Sequence, residues 1–262
     1  MSKKFTLNEL LIITCAKEIK DFQNVILGVG LPTTAGALAK AFYAPHATLM
    51  MESGIVDFQP LVPLNHIADA HCCRGFSYAT DLFSAFTMTY RGFVDICFLG
   101  VGQIDRFGNI NTTCIGDYHN PKSRLPGSGG ASPIGALARR TLIISLHDTK
   151  RLADKVDFIT TPGYIDGPGA RERWGLPPDT GPACIVTNKA VLRFDKTTGE
   201  AFLASIHPGS TLEEIRANTP WDLQIADDVH ETEPPTADEL RAIREVLDPH
   251  RMIKIYEGRG YI

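Results

Sequence analysis

Short apolar, β-branched runs alternate along this chain with longer stretches of helical character, the pattern of an α/β domain built on a mainly parallel sheet. Residues 24–27 read as the first strand, and residues 33–42, placed just after Pro32, read as a helix started by Thr33 or Thr34. Residues 47–51 form a second strand that ends at Glu52-Ser53-Gly54. A helix is expected over 81–89 with Asp81 at its start. The nearly unbroken apolar run 94–101 is the mark of a strand covered on both faces. Residues 103–111, with Asp105 to Asn109 between apolar flanks, read as a hairpin. Later strands are expected at 141–146, 158–160, 184–187 and 192–195, the last two at or near a sheet edge, with 196–199 turning into Phe202-Leu203. Toward the N-terminus, the apolar stretch 10–16 followed by Lys17, Glu18 and Lys20 predicts an amphipathic helix. From Ser210 onward helix starts and polar linkers take over: Ser210 to Glu214 resembles a capped helix, 231–235 an exposed linker, and Thr236-Ala237-Asp238-Glu239 a capping box. The expected architecture is one domain over residues 1–262, an open, mainly parallel sheet flanked by helices, with a C-terminal helical extension from about residue 205.

Composition narrows the class. The chain has 262 residues, 44% apolar and 21% charged, enough to bury a core without disulfide or metal. A formal net charge of −4 gives no general attraction to nucleic acid. The six cysteines stand at irregular spacing, and the sequence predicts a reduced, cytoplasmic protein. The N-terminal apolar stretch lacks the small-residue cleavage site of a signal peptide, and no run approaches the ~20 apolar residues of a membrane span.

Three places invite chemistry. Glu52 lies just past a strand end, where open α/β sheets put their ligands, flanked by Met50 and Met51 on one side and Ser53 and Gly54 on the other. A lone glutamate there is more often a solvated rim residue. Gly127-Ser128-Gly129-Gly130 precedes a helix start with Pro133 in its first turn, and backbone N–H groups at such a start can hold an oxyanion; the alternative is a mobile surface turn. Gly28-Val29-Gly30-Leu31-Pro32 follows a strand and suggests a dinucleotide loop, but the third glycine of that fingerprint would be residue 33, which is Thr33. Cys72 and Cys73 are adjacent, with no second pair at zinc spacing, so no metal site is expected. Asp117-Tyr118-His119 are sequence neighbours on a loop, and such neighbours seldom face each other as an acid–base pair.

Four segments, residues 28–45, 51–54, 102–131 and 160–177, make nearly the whole chain resemble the B subunit of the glutaconate branch of class I CoA-transferases. The resemblance implies an open α/β fold of the CoA-transferase type, related to that of sugar-phosphate isomerases. It also implies assembly with an A subunit into a heterotetramer or larger hetero-oligomer, and CoA thioesters as substrates with no permanently bound cofactor. Glu52 stands where the family has its nucleophile, which attacks an acyl-CoA to give an anhydride and then a glutamyl-CoA thioester. Gly129 and Gly130 stand at the oxyanion position, and Gly28, Gly30, Ser53, Gly54, Gly100, Gln103 and Gly127 at positions lining the CoA or substrate path. Many members have Glu-Asn-Gly at the nucleophile; Glu52-Ser53-Gly54 matches the glutaconate branch and favours a dicarboxylate partner. The same scaffold also serves decarboxylases and hydrolases that lack the glutamate. A non-catalytic ligand-sensing module is the reading of a different class. The expected partners include neither nucleic acid nor membrane.

Overall fold

The computed structural model describes residues 5–60, 64 and 66–253. Their contacts group into two compact units where the sequence suggested one domain. The first is drawn from the chain up to Phe98 and from Pro234 onward, the second from Leu99 to Glu233.

In the first unit, α1 (Leu7–Lys17) opens with a capping box, Thr6 Oγ1 accepting from the Glu9 amide at 3.3 Å and Glu9 Oε2 from the Thr6 amide at 2.7 Å. It is not the amphipathic helix expected: Asn8, Glu9, the run Leu10 to Ile13, Cys15 and Ala16 are all buried. A helix buried over most of its length needs partners for its polar residues. The far end of the chain supplies them. Asn8 donates to the Ile253 carbonyl at 3.1 Å, and the Arg244 guanidinium forks onto Glu9 at 2.6 and 3.0 Å.

Strand β1 (Asn24–Ile26) leads into α2 (Leu31–Phe42), which starts two residues before the predicted Thr33 because Gly30, at φ +93°, ends the loop and Pro32 fits the first turn. Then follow β2 (Thr48–Met50), β3 (Ile55–Val56), β4 (Tyr78–Ala79), α3 (Leu82–Tyr90) and β5 (Ile96–Gly100). The strand order is β5-β1-β2-β3-β4. β1 runs parallel to both β2 and β5, while β3 and β4 add on antiparallel. The carboxyl ends of β1 and β2 therefore face the same way.

The second unit begins with two small hairpins, β6 (Gln103–Ile104) with β7 (Ile110–Asn111), and β8 (Cys114–Ile115) with β9 (Ser123–Arg124). After α4 (Ala131–Leu137) come β10 (Arg140–Ser145), α5 (Ala170–Arg173), β11 (Pro182–Thr187), β12 (Ala190–Phe194), β13 (Ala201–Ile206), α6 (Leu212–Ala217) and β14 (Gln224–Glu231). Their order is β14-β13-β12-β11-β10. β10–β11 and β13–β14 pair parallel, and the two pairings between them are antiparallel. β11 and β12, expected at or near a sheet edge, are interior strands, with β13 and β14 between them and the edge. Ile185 of β11 and Leu192 of β12 are fully enclosed in one core with Ile143 of β10, Leu203 of β13 and Ile215, each worth about 1.5–3 kcal/mol of burial. Residues 158–160 form no strand; instead the Thr160 and Thr161 amides reach the Ile110 carbonyl at 2.8 and 3.0 Å.

The C-terminal segment carries the helices expected, with a strand, β14, between them. Glu231 ends that strand, and Thr232 is buried with its hydroxyl on Ser205 and His207, so the predicted exposed linker starts later. The capping box at Thr236 and Glu239 opens α7 (Ala237–Arg241), which continues as a π-helical stretch, Ala242–Leu247. This part belongs to the first unit, where Glu239 also accepts a hydrogen bond from the Tyr43 hydroxyl. No helix among the described residues is long and apolar enough to cross a membrane.

Candidate active site

Glu52 sits in the tight turn joining β2 to β3. The Met51 amide donates to the Ile55 carbonyl at 2.9 Å, and the Gly54 amide to the Met51 carbonyl at 3.0 Å, closing the turn around the glutamate. Gly54 adopts φ +101°, and a Cβ there would lie 2.3 Å from the Thr80 carbonyl oxygen, so this position requires glycine. The Thr80 amide in turn donates to the Gly54 carbonyl at 2.8 Å, tying the turn to the start of α3. Met50 and Met51 are buried and Glu52 is half-buried. Burial alone raises the Glu52 pKa, and no hydrogen bond or cation in the described residues offsets it. Beside it, the Ser53 hydroxyl is buried and has no hydrogen-bond partner.

Gly28 and Gly30 follow β1, whose end lies beside that of β2, the Leu27 amide donating to the Met50 carbonyl at 3.0 Å. A Cβ on Gly28 would come within 3.3 Å of the Phe98 carbonyl oxygen, so Gly28 permits close packing of two strand ends. Gly30 caps α2 in a conformation suited to glycine, its carbonyl accepting from the Thr33 hydroxyl at 2.7 Å. The glycine loop, the start of α2 and the Glu52 turn thus share the carboxyl edge of the parallel strands β1 and β2, the edge at which such sheets bind ligands.

In the second unit, the glycines of the predicted oxyanion loop separate into two kinds. Gly127, at φ +98°, donates its amide to the Thr112 carbonyl at 2.7 Å and so anchors the loop. Ser128 receives the Ala131 amide on its carbonyl at 2.9 Å and the Ser132 amide on its hydroxyl at 3.2 Å, capping α4. The amides of Gly129 and Gly130 have no acceptor among the described residues. Gly129 is exposed, at φ +49°, with open space where a Cβ would stand. Two unspent backbone donors in succession are what an oxyanion requires.

Gln103 is placed differently from its predicted role. Its carboxamide nitrogen donates to Asp157 at 3.0 Å, and its oxygen accepts from Asn111 at 2.7 Å and from the Asp157 amide at 3.1 Å. That side chain is committed to joining loops. Gly100 is the half-buried last residue of β5. Asp117 spends its carboxylate on the His119 and Asn120 amides at 2.8 and 3.0 Å, so it does not orient the His119 ring. His71 is hydrogen-bonded to Asp69 at 2.7 Å, and burial pushes the Cys72 thiol up to about 11, away from thiolate chemistry at neutral pH.

Sequence reasoning missed Thr80, because its contact with Gly54 spans a loop. It also missed the orphaned state of the Ser53 hydroxyl, which only a three-dimensional census of partners exposes.

The model of the family described as "Coenzyme A transferase" matches residues 9–218. The chain is 40% identical over 252 residues to the B subunit of glutaconate CoA-transferase from Acidaminococcus fermentans, covering 94% of this chain and 93% of the relative. It is 37% identical over 241 residues to the B subunit of 3-oxoadipate CoA-transferase from Pseudomonas knackmussii, covering 92% of each. The crystal structure of glutaconate coenzyme A-transferase from Acidaminococcus fermentans superposes with a TM-score of 0.89 at 37% identity, covering 95% of this chain and 97% of the other. That of the decarboxylase AibA/AibB does so with a TM-score of 0.82 at 25% identity, covering 95% and 98%. On this extent of likeness the chain belongs to the coenzyme A transferase family.

Proposed function

We propose that this chain is the glutamate-bearing B subunit of a two-component CoA-transferase, a cytoplasmic enzyme that moves CoA between an acyl-CoA thioester and a carboxylic acid of the dicarboxylate type. The observation that carries this reading is the state of Glu52: a carboxylate at the carboxyl edge of a parallel sheet, half-buried, accepting no hydrogen bond from the described residues. A carboxylate stripped of donors keeps its lone pairs for attack, which offsets its intrinsic weakness as a nucleophile.

In the proposed sequence a Glu52 oxygen attacks the thioester carbonyl, the C–S bond breaks, and an acyl-glutamyl anhydride and CoA thiolate form. The thiolate attacks the glutamyl carbonyl, releasing the acyl group as a free acid and leaving a glutamyl-CoA thioester. The acceptor carboxylate attacks that thioester to form a second anhydride, and the thiolate completes the exchange at the new acyl carbonyl. Gly129 and Gly130 donate their free amides to the oxyanion, while Gly127 holds their loop. Ser53 directs its hydroxyl to the substrate, and Gly28, Gly30, Gly54 and Gly100 keep the backbone open along the CoA path. CoA enters as substrate, and no resident cofactor is required.

An A subunit completes the enzyme as a hetero-oligomer. Helix α3 supports this: of its nine residues only Ala85 and Thr89 are buried, while Phe83 is 80% exposed and Tyr90 68%. So apolar a helix left facing water is the mark of a surface that a partner covers. It begins where Thr80 packs on Gly54, next to the nucleophile's turn.

The test is the intact mass of the complex with its A subunit after incubation with acyl-CoA esters and borohydride. Trapping is expected to convert Glu52 to the reduced alcohol, with no change in the Glu52→Ala protein, whose exchange is abolished. Exchange persisting in Glu52→Ala overturns the covalent mechanism. Free CoA or carbon dioxide released without any acceptor acid selects hydrolysis or decarboxylation instead.

A further inference from the structure

The second unit contains a cavity of about 580 Å³ that the proposed transfer chemistry does not use. It opens where β10 begins at Arg140 and β11 begins at Pro182, with the end of β12 and the start of β13 beside them. This is the amino end of the parallel pair β10–β11, the opposite edge from the one at which α/β sheets hold catalytic ligands.

Five cationic side chains line it: Arg139, Arg140, Arg171, Arg193 and Lys196. Two carboxylates, Glu172 and Asp179, also line it, and Glu172 acts coulombically on Arg171. Arg171 is the informative member. It is only 3% exposed, and its guanidinium donates to neutral acceptors alone: the Pro162 and Gly163 carbonyls at 3.3 and 2.8 Å, the Ala136 carbonyl at 2.7 Å and the Thr180 hydroxyl at 2.5 Å. Its Nε has no acceptor at all. Buried charges in folded proteins are paired with an opposite charge. This one has no carboxylate within ion-pair distance in the described residues, yet it forms the wall of a cavity whose rim carries four more cations. Glu172 offsets that charge only from beyond ion-pair distance, so with five cations against two carboxylates the lining keeps an excess of positive charge.

We propose that this cavity is a second, non-catalytic site that binds a small multivalent oxyanion, of the phosphate-ester or diphosphate kind. Rim cations from three separate places, the residues after α4, β12 and the turn after it, converge on one concave volume, which suits a compact polyanion better than an extended chain. Arg171 contributes the long-range field from below, and Arg139 and Lys196, both exposed, are the reachable contacts. The anion is a separate phosphorylated metabolite, bound apart from the CoA that takes part in transfer.

The experiment uses the assembled complex with its A subunit and inorganic pyrophosphate as probe, titrated calorimetrically at constant ionic strength. Saturable binding is expected, weakened at least tenfold in an Arg139→Glu/Lys196→Glu variant whose exchange rate at saturating substrates stays within twofold of the parent. An unchanged KM for CoA in the variant is expected, and competition of pyrophosphate with CoA at this site overturns the proposal. Absence of saturable binding, or equal affinity in the charge-reversed variant, overturns it. Because exchange is read separately, a failure of this proposal is distinguishable from a failure of the transferase reading.

Discussion

Replacing Gly54 by alanine disturbs the turn of the proposed nucleophile, Glu52, without touching its carboxylate. The backbone at this position has φ +101°, a region in which an ordinary residue costs about 1–3 kcal/mol. The new Cβ would meet the Thr80 carbonyl oxygen at 2.3 Å and its carbon at 2.6 Å, whereas ordinary contact begins at 3.4 Å. Thr80 and the turn must therefore part by 3.4 − 2.3 = 1.1 Å. The bond from the Thr80 amide to the Gly54 carbonyl, 2.8 Å long, is strained or lost with that movement, at about 1 kcal/mol. The sum is roughly 2–4 kcal/mol of stability, or a fall in Tm of roughly 5–15 °C for a chain of this size.

The same displacement acts on Glu52 two residues away, and a shift of about 1 Å in a reacting group can cost on the order of 100-fold in rate. Circular-dichroism melting and CoA exchange, measured well below the variant's Tm, read the two effects apart. Gly92→Ala is the control: it too has positive φ, +75°, but nothing lies within 4 Å of its Cβ, so it carries backbone strain without displacement. Its expected loss is about 1 kcal/mol with exchange unchanged. If Gly54→Ala melts and turns over like Gly92→Ala, the contact with Thr80 does not position the nucleophile.

Ser53→Ala removes a buried hydroxyl that has no partner, so the chain is expected to melt no lower than the parent while kcat/KM falls about 2- to 13-fold, the worth of one neutral hydrogen bond; lower stability with unchanged kcat/KM refutes a substrate role. Protonated Glu52 cannot attack, and burial raises its pKa, so the acid limb of kcat/KM for exchange is expected above the ordinary glutamate range; a limb at or below that range contradicts the desolvated state. His147 and His207 are buried neutral, each with its pKa pushed down to about 4 by burial and its ring bonded to threonines. The unfolded chain takes up these protons first, so stability is full above pH 6.5 and declines as pH falls toward 4, by roughly 3 kcal/mol per ring. Denaturant unfolding against pH checks this, and a flat profile over that interval would count against it.

Local signals in the sequence carried well. Glu52 at a strand end, Asp81 as the cap of α3 and the Thr236 capping box were all legible, because each depends on residues within a few positions. Failures came where the deciding partner is distant. α1 looked amphipathic because nothing nearby announces that Ile253 and Arg244 will satisfy Asn8 and Glu9. β11 and β12 were placed near an edge because strand order is not written in a strand's own pattern. β14, with the sequence Gln-Ile-Ala-Asp-Asp-Val-His-Glu, lacks the alternation that betrays a half-buried strand; it forms because β13 offers a partner. Gln103 was assigned to the substrate path, but Asp157, 54 residues on, claims it.

Glu52 and Asp105 show why burial and a perturbed pKa are not enough to find a nucleophile. Both carboxylates have pKa values raised chiefly by burial, and Asp105 is the more deeply enclosed. It also lies in the longest of the segments that carry the family likeness. Yet Asp105 accepts from the Phe107 and Asn109 amides at 3.0 and 3.1 Å, the Asn109 side chain at 3.0 Å and the Val156 amide at 3.5 Å. Asn109 passes the connection on, its side-chain oxygen accepting from the Gly163 and Ile165 amides. Every lone pair of Asp105 is thus engaged in holding three loops together, and a carboxylate so held has nothing left with which to attack a carbonyl. Glu52 accepts no bond from the described residues, which leaves its lone pairs free for the attack proposed for it. What separates the structural carboxylate from the one proposed as reactive is the count of donors around it, a quantity set by the fold and invisible in either residue's sequence neighbourhood.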